Sequence, residues 1–429
     1  MDSEKNIKQK PGISRRSFLK TAGAIGAVGA LASMANIPGV TDQKEVYAVT
    51  THDTFPVELS EDFKRFDFKN VVFMRGFWDP KIQPIAQVQQ AKFSNQMPPA
   101  GNPGYTEIDA ALNQAAWAIH DSASPKSAYG IPAAGPLMAW DVPSNSRKYT
   151  FSDPEEASRI VKRAARFLGA SLVGICDYDE RWVYSHWYNP FEAQSIPVQF
   201  PFEPKSVIVI ALEMNYEGIK TAPSLLESAA AGNEYSNMSG VSHKVATFLR
   251  QLGYKAANCG NDTALSVPLA IAAGLGEMSR MGMVITREYG PRVRLCKVFT
   301  DLELKADKPI SFGVKEFCKS CLKCADSCPG EAISRDKEPS FDTYNISNHA
   351  GVKKWCVDAE KCYQFWADNG GDCGSCIASC PYNKIDEWHH KLSRAFAETP
   401  ARSLLRYLDD AFGYGKVGNE QLAIDFWKK

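Results

Sequence analysis

Seven of the twelve cysteines fall in two tight runs, and their spacing is the first chemistry that the chain offers. In Cys318-x2-Cys321-x2-Cys324-x3-Cys328-Pro329, three thiolates can wrap the corners of one iron–sulfur cubane while the fourth leaves to ligate another. Cys373-x2-Cys376-x3-Cys380-Pro381 is the same run with its first cysteine displaced upstream, and Cys362 is a better supplier than Cys356. Reciprocal exchange then predicts one [4Fe–4S] cluster on Cys318, Cys321, Cys324 and Cys380. The other falls on Cys362, Cys373, Cys376 and Cys328. Disulfides and zinc are the competing uses. Repeated C-x2-C-x3-C-P units are poor disulfide spacing, and zinc sites ordinarily pair C-x2-C units without the trailing Cys-Pro. Four cysteines remain: Cys176, Cys259, Cys296 and Cys356. The first and third fall in expected strands, where a thiol serves as a small buried hydrophobe. Two adjacent clusters form an electron wire, and a wire needs a redox centre or a substrate site at its end.

The elements that must position this wire lie upstream. A helix is expected from Ser152 or Asp153, with Pro154 in its first turn, Glu155 or Glu156 closing a capping box, and Gly169 ending it. Ala157, Ile160, Val161, Ala164 and Leu168 supply its apolar stripe. Residues 171–176 and 206–212 read as buried strands. Val241, Val245, Phe248, Leu249 and Leu252 mark a helix closed by Gly253. Tyr235 is expected in a Glu-Tyr-Ser-Asn loop ahead of that helix. A helix over 266–280 and strands near 283–286 and 293–300 follow. This alternation suggests an α/β unit over 151–305. The cysteine-rich segment covers 306–395 and a helical tail 396–429. Residues 49–150 carry no readable motif, apart from a Pro/Gly/Ser/Ala-rich stretch over 122–148 that marks a long loop or a boundary, and are expected to contribute to the core and to the substrate pocket.

The N-terminus has a different use. Ser14-Arg15-Arg16-Ser17-Phe18-Leu19-Lys20 matches a twin-arginine export signal, backed by a Gly/Ala-rich apolar stretch to Ala35 that is too short and weak to span a membrane. Ala48, with Val46 two before it, offers a cleavage site, so residues 1–48 are assigned to the leader. The whole chain has 429 residues, room for two or three domains at about 150 residues each. Lys+Arg and Asp+Glu both number 49, a balance that argues against an extended nucleic-acid surface.

Leader, cofactor-sized α/β unit and double-cluster segment, in that order, resemble the respiratory reductive dehalogenases. The strings Leu252-Gly253-Tyr254, Asn261-Asp262-Thr263 and Tyr289-Gly290-Pro291-Arg292-Val293-Arg294 also look like blocks of that family. The resemblance implies an α+β chain: a nitroreductase-like α/β corrinoid-binding core followed by a ferredoxin-like domain with two [4Fe–4S] clusters. It implies a base-off corrinoid without a protein axial ligand, which agrees with the absence of an Asp-x-His-x-x-Gly string. It further implies Tyr235 as proton donor, Asn261 in the halogen pocket, Arg294 beside the tyrosine, all three against the corrinoid, and Trp366 as an aromatic pocket wall. The chemistry is consistent. R–X + 2e⁻ + H⁺ gives R–H + X⁻, a phenol with an ordinary pKa of about 10 is a weak acid alone, and a nearby guanidinium favours the phenolate that it leaves.

The implied partners are an organohalide, a small integral-membrane anchor protein and electrons from the membrane quinone pool. No nucleic acid is expected, and a homodimer is compatible. The implied place is the outer face of the cytoplasmic membrane. Two other functions compete. Epoxyqueuosine reductase shares the two-part core but is cytosolic and acts on tRNA, against the leader and the charge balance. An exported iron–sulfur electron carrier would have no use for the Tyr235–Arg294 segment.

Overall fold

A computed structural model describes residues 49–93, 99–123, 137–385, 406, 409–410 and 413–428. The expected leader therefore lies outside the described residues, as do about half of the 122–148 stretch and the first part of the tail. In chain order, α1 (Val72–Trp78), α2 (Gln83–Phe93) and α3 (Glu107–Ala123) come first. The central unit follows as α4 (Pro154–Phe167), β1 (Leu172–Asp177), β2 (Ser206–Glu213), α5 (Leu225–Gln251), β3 (Ala256–Cys259), α6 (Ser266–Ala272) and β4 (Val293–Thr300). The cysteine segment holds α7 (Val314–Cys321), α8 (Ala359–Asn369) and α9 (Ser375–Ser379), and α10 (Glu420–Phe426) lies near the end.

The four strands form one sheet in the order β1-β2-β4-β3, with every pairing antiparallel. Alternation along β2 explains why the sheet is covered on both sides. Ile208 and Ile210 face the layer that holds Val161 of α4 and Val245 and Leu249 of α5. Val207, Val209 and Ala211 face Trp182, Trp187 and Leu269. The same alternation on β4 sends Arg294 and Lys297 to opposite faces, and both matter below.

The start of α4 follows the expected box: Asp153 accepts from the Glu156 N–H at 2.8 Å and Glu156 accepts from the Ser152 N–H at 2.8 Å. Two expectations change. The helix closed by Gly253 begins at Leu225, capped by Ser224, so Tyr235 sits inside a 27-residue helix rather than in a loop before it. Its Ala229-Ala230-Ala231-Gly232 run lacks a bulky stripe because it is a close-approach face. A Cβ on Gly232 would overlap the indole of Trp117 on α3, which packs along α5. The helix expected over 266–280 stops at Ala272. Gly274, at φ +69, turns the chain into a short hairpin of Glu277–Met278 with Val284–Ile285, and a side chain there would meet the Lys308 carbonyl.

Two arginines fasten the cysteine segment to the sheet unit. Arg292, 1% exposed, donates to Asn383 Oδ1 at 2.9 Å and to Glu213 and Met214 behind it. Arg280 does the same beside the first cysteine run. The N-terminal stretch is pinned at Thr50–Thr51, paired with Ile310–Ser311, and at His349, whose Nε2–H donates to the Lys64 carbonyl at 2.7 Å.

Candidate functional site

Tyr235, Asn261 and Arg294 come from α5, the loop after β3 and β4, and the fold brings them together. Asn261 donates from Nδ2 to the Tyr235 hydroxyl at 3.2 Å. The Arg294 guanidinium carbon lies 4.9 Å from the centroid of the tyrosine ring, over its face. Trp117 stacks on the same ring, with centroids 4.8 Å apart and an interplanar angle of 24°. The indole and the guanidinium thus both pack on the phenol ring. His120, one turn on from Trp117, stands edge-on to Tyr235 with its centroid at 5.3 Å. Trp117 and His120 come from the 49–150 region and were not expected. Their i, i+3 spacing on a helix was the one available signal.

Lys297 holds the asparagine loop. It is fully buried on β4, and its ammonium donates to the Gly260 and Ala264 carbonyls at 2.9 and 2.8 Å and to Ser266 Oγ at 3.0 Å. Within that loop Thr263 has φ +68, a conformation that costs a β-branched residue roughly 1–3 kcal/mol. Three hydrogen bonds from a buried cation stabilise it. Burial holds the Lys297 pKa below its ordinary value, with the Asp262 carboxylate opposing, and burial raises that of Asp262.

Behind Arg294 lie two buried carboxyl groups. Glu227 and Asp372 are each raised above the usual carboxylate range, chiefly by burial, and the Arg294 charge opposes the rise in both. A Cβ on Gly374 would overlap the Glu227 carboxylate, so the Cys373–Cys376 loop rests directly on this residue. The tyrosine site and the second cysteine run therefore share a polar wall.

None of the twelve cysteines is paired in a disulfide. Cys318, Cys321, Cys324 and Cys380 line one cavity, together with Arg280, Phe317 and Tyr382. Their thiols lie close enough to repel one another's charge, and burial with that repulsion pushes Cys318 and Cys324 up to about 12. Cys362, Cys373 and Cys376 are likewise raised, with Cys328 among the causes in each case. Cys376 also feels Cys324, so the two quartets are neighbours. Among the described residues no three donors converge as a single metal ion requires; the first quartet instead lines the walls of a void. Crowded buried thiols fit a cluster that takes their protons' place. Trp366 lies on α8 with its ring 5.4 Å from Phe73 and packs near Val72 and Ile82. Cys176, Cys259, Cys296 and Cys356 are buried.

The family profile of the reductive dehalogenase subunit matches residues 193–304, that of a 4Fe-4S dicluster domain 317–384, and that of a twin-arginine translocation signal 12–32. Over 400 residues the chain is 40% identical to a tetrachloroethene reductive dehalogenase of Desulfitobacterium hafniense, covering 76% of this chain and 73% of the relative. With that of Sulfurospirillum multivorans the identity is 31%, covering 96% and 93%. The fold is similar to a solved structure described as "Reductive dehalogenase structure suggests a mechanism for B12-dependent dehalogenation", with a TM-score of 0.69 at 22% identity. That match covers 87% of this chain, which spans about half (49%) of the solved one. The chain belongs to the reductive dehalogenase family. It is an oxidoreductase with a twin-arginine leader and a dicluster iron–sulfur domain.

Proposed function

We propose that this chain is a corrinoid-dependent reductive dehalogenase in which Tyr235 delivers the proton. The observation that carries the reading is the joining of Tyr235, Asn261 and Arg294 in one polar group that shares a wall with a thiol quartet. The orphaned, buried Nε of Arg294 fits a ligand rich in amide carbonyls, as a corrinoid periphery is. Tyr235, Asn261 and Arg294 would hold that group, which when bound supplies a low-potential cobalt able to take halogen from carbon. Asn261, as donor, leaves the phenol hydrogen available to the substrate carbon. Arg294 stabilises the phenolate that remains, and Trp117 fixes the ring and excludes water from one face. Trp117 supplies an aromatic wall beside the acid, and Trp366 a further wall of the pocket.

The ligand sets of this reading are Cys318, Cys321, Cys324 and Cys380 for one cluster and Cys328, Cys362, Cys373 and Cys376 for the other. The substrate class is a small chlorinated alkene, in line with the names of the relatives. Electrons come from the membrane quinone pool, and a small integral-membrane protein holds the enzyme on the outer face of the cytoplasmic membrane. Among the described residues no helix is long and apolar enough to cross the bilayer itself. The test is anaerobic purification followed by metal analysis and turnover of tetrachloroethene with reduced viologen. Iron for two cubanes, cobalt, and chloride release are expected. Iron without cobalt or chloride would leave only an electron carrier.

A further inference from the structure

Arg280 is fully buried, and among the described residues it forms no ion pair with any carboxylate. Its guanidinium is spent on main-chain carbonyls. Nε and Nη2 donate to Cys318 at 3.0 and 2.7 Å, and Nη1 donates to Ser334 at 2.8 Å and Asp336 at 2.7 Å. Trp355, itself bonded to the Asp336 carbonyl, lies under its plane at 4.7 Å. A buried cation normally has an anionic partner, because removing it from water costs several kcal/mol. The other cations near this cysteine run are neutralised: Lys323 by Asp409 and Asp410, Lys384 by Asp409, and Arg406 by Asp326. Glu277, the carboxyl group near Cys318, spends its oxygen on the Phe312 and Val314 N–H groups. Arg280 instead lines the cavity of Cys318, Cys321, Cys324 and Cys380.

We propose that Arg280 is the counter-cation of the cluster bound by those four cysteines and raises its reduction potential. The inference rests on the ligand assignment above. A cubane held by four thiolates is anionic and gains a further negative charge on one-electron reduction, so a fixed positive charge in low dielectric stabilises the reduced form more than the oxidised one. The second quartet has a different surround, the buried Glu227 and Asp372 with Arg294, so the effect is confined to one cluster.

The experiment is a potentiometric titration of the anaerobically purified whole enzyme, with dithionite as electron source and electron paramagnetic resonance as readout. The signal that survives unaltered in Cys328→Ser marks the first cluster. Arg280→Gln should lower its reduced-to-oxidised ratio at fixed potential about tenfold, equivalent to about 59 mV for a one-electron couple, and leave the other cluster unmoved. Arg280→Lys, which keeps the charge but loses the fork of carbonyl bonds, should stay near the parent. If the Gln variant fails to hold the first cluster while the Lys variant holds it near the parent midpoint, the charge role is again supported. An unmoved midpoint in the Gln variant, equal shifts of both clusters, or loss of the cluster in both variants would overturn it and leave Arg280 a structural clamp. A parent enzyme without two four-iron signals would instead sink the ligand assignment.

Discussion

Asn261 donates its side-chain amide to the Tyr235 hydroxyl across 26 residues of sequence, which leaves that oxygen an acceptor with its own hydrogen still to give. Tyr235→Phe removes only this hydroxyl and keeps the ring's contacts with Trp117 and Arg294. Iron and cobalt content should be unchanged and dehalogenation should fall about 10²-fold or more, the scale of general acid catalysis. Near-parent turnover by a fully loaded variant would assign the proton to another donor.

Trp117→Ala removes one wall of the phenol and should reduce kcat about tenfold or more through misplacement of the acid. Trp366→Ala acts on packing against Phe73, and it should cost about 2 kcal/mol of stability while sparing turnover per folded enzyme. Urea titrations beside steady-state kinetics separate the two. A raised KM in the Trp366 variant would place that residue in the pocket.

Cys328→Ser should disturb the cluster of Cys362, Cys373 and Cys376, although Cys328 belongs to the other run. Paramagnetic resonance of the reduced variant reports which signal changes. A change limited to the Cys318 cluster would mean that each run binds locally.

Burial holds His349 down at about 4, its bond to the Lys64 carbonyl opposes this, and the Lys354 charge adds to it. An unfolded imidazole titrates near 6.5, so the unfolded chain takes up this proton first. Stability from this site is therefore present above about pH 6.5 and is lost as pH falls toward about 4. Chemical unfolding midpoints at several pH values should drop more steeply for the parent than for His349→Gln, which keeps a donor for Lys64. Parallel curves would refute the assignment.

Replacing Arg15 and Arg16 with Lys should leave an unprocessed precursor in the cytoplasm. Fractionation with an antibody to the chain shows this directly. Unchanged processing and surface activity would mean that another signal drives export.

The cysteine runs were legible in the sequence because cluster ligation is written in local spacing, and so was α4, whose box and Gly169 punctuate it. Tyr235 was identified as a site residue but misplaced. Small residues at Ala229–Gly232 resemble a loop unless the indole that fills their groove is known, and that indole lies more than a hundred residues upstream. Trp117 and His120 carry no motif, and only α3 packing along α5 makes them part of the site. The buried charge of Lys297 was equally hidden. An isolated lysine in a strand says nothing about the three acceptors that meet it.

The placement of Cys380 has a consequence in time. It lines the same cavity as Cys318, Cys321 and Cys324, so that chamber lacks its last thiol until the ribosome has reached Cys380. The leader, in contrast, is among the first segments made. Address and cargo are thus completed in the wrong order for early dispatch: a precursor exported as soon as its leader emerged would leave behind the compartment where iron and sulfide are put together. A delay at least until Cys380 has been made is built into the order of the codons.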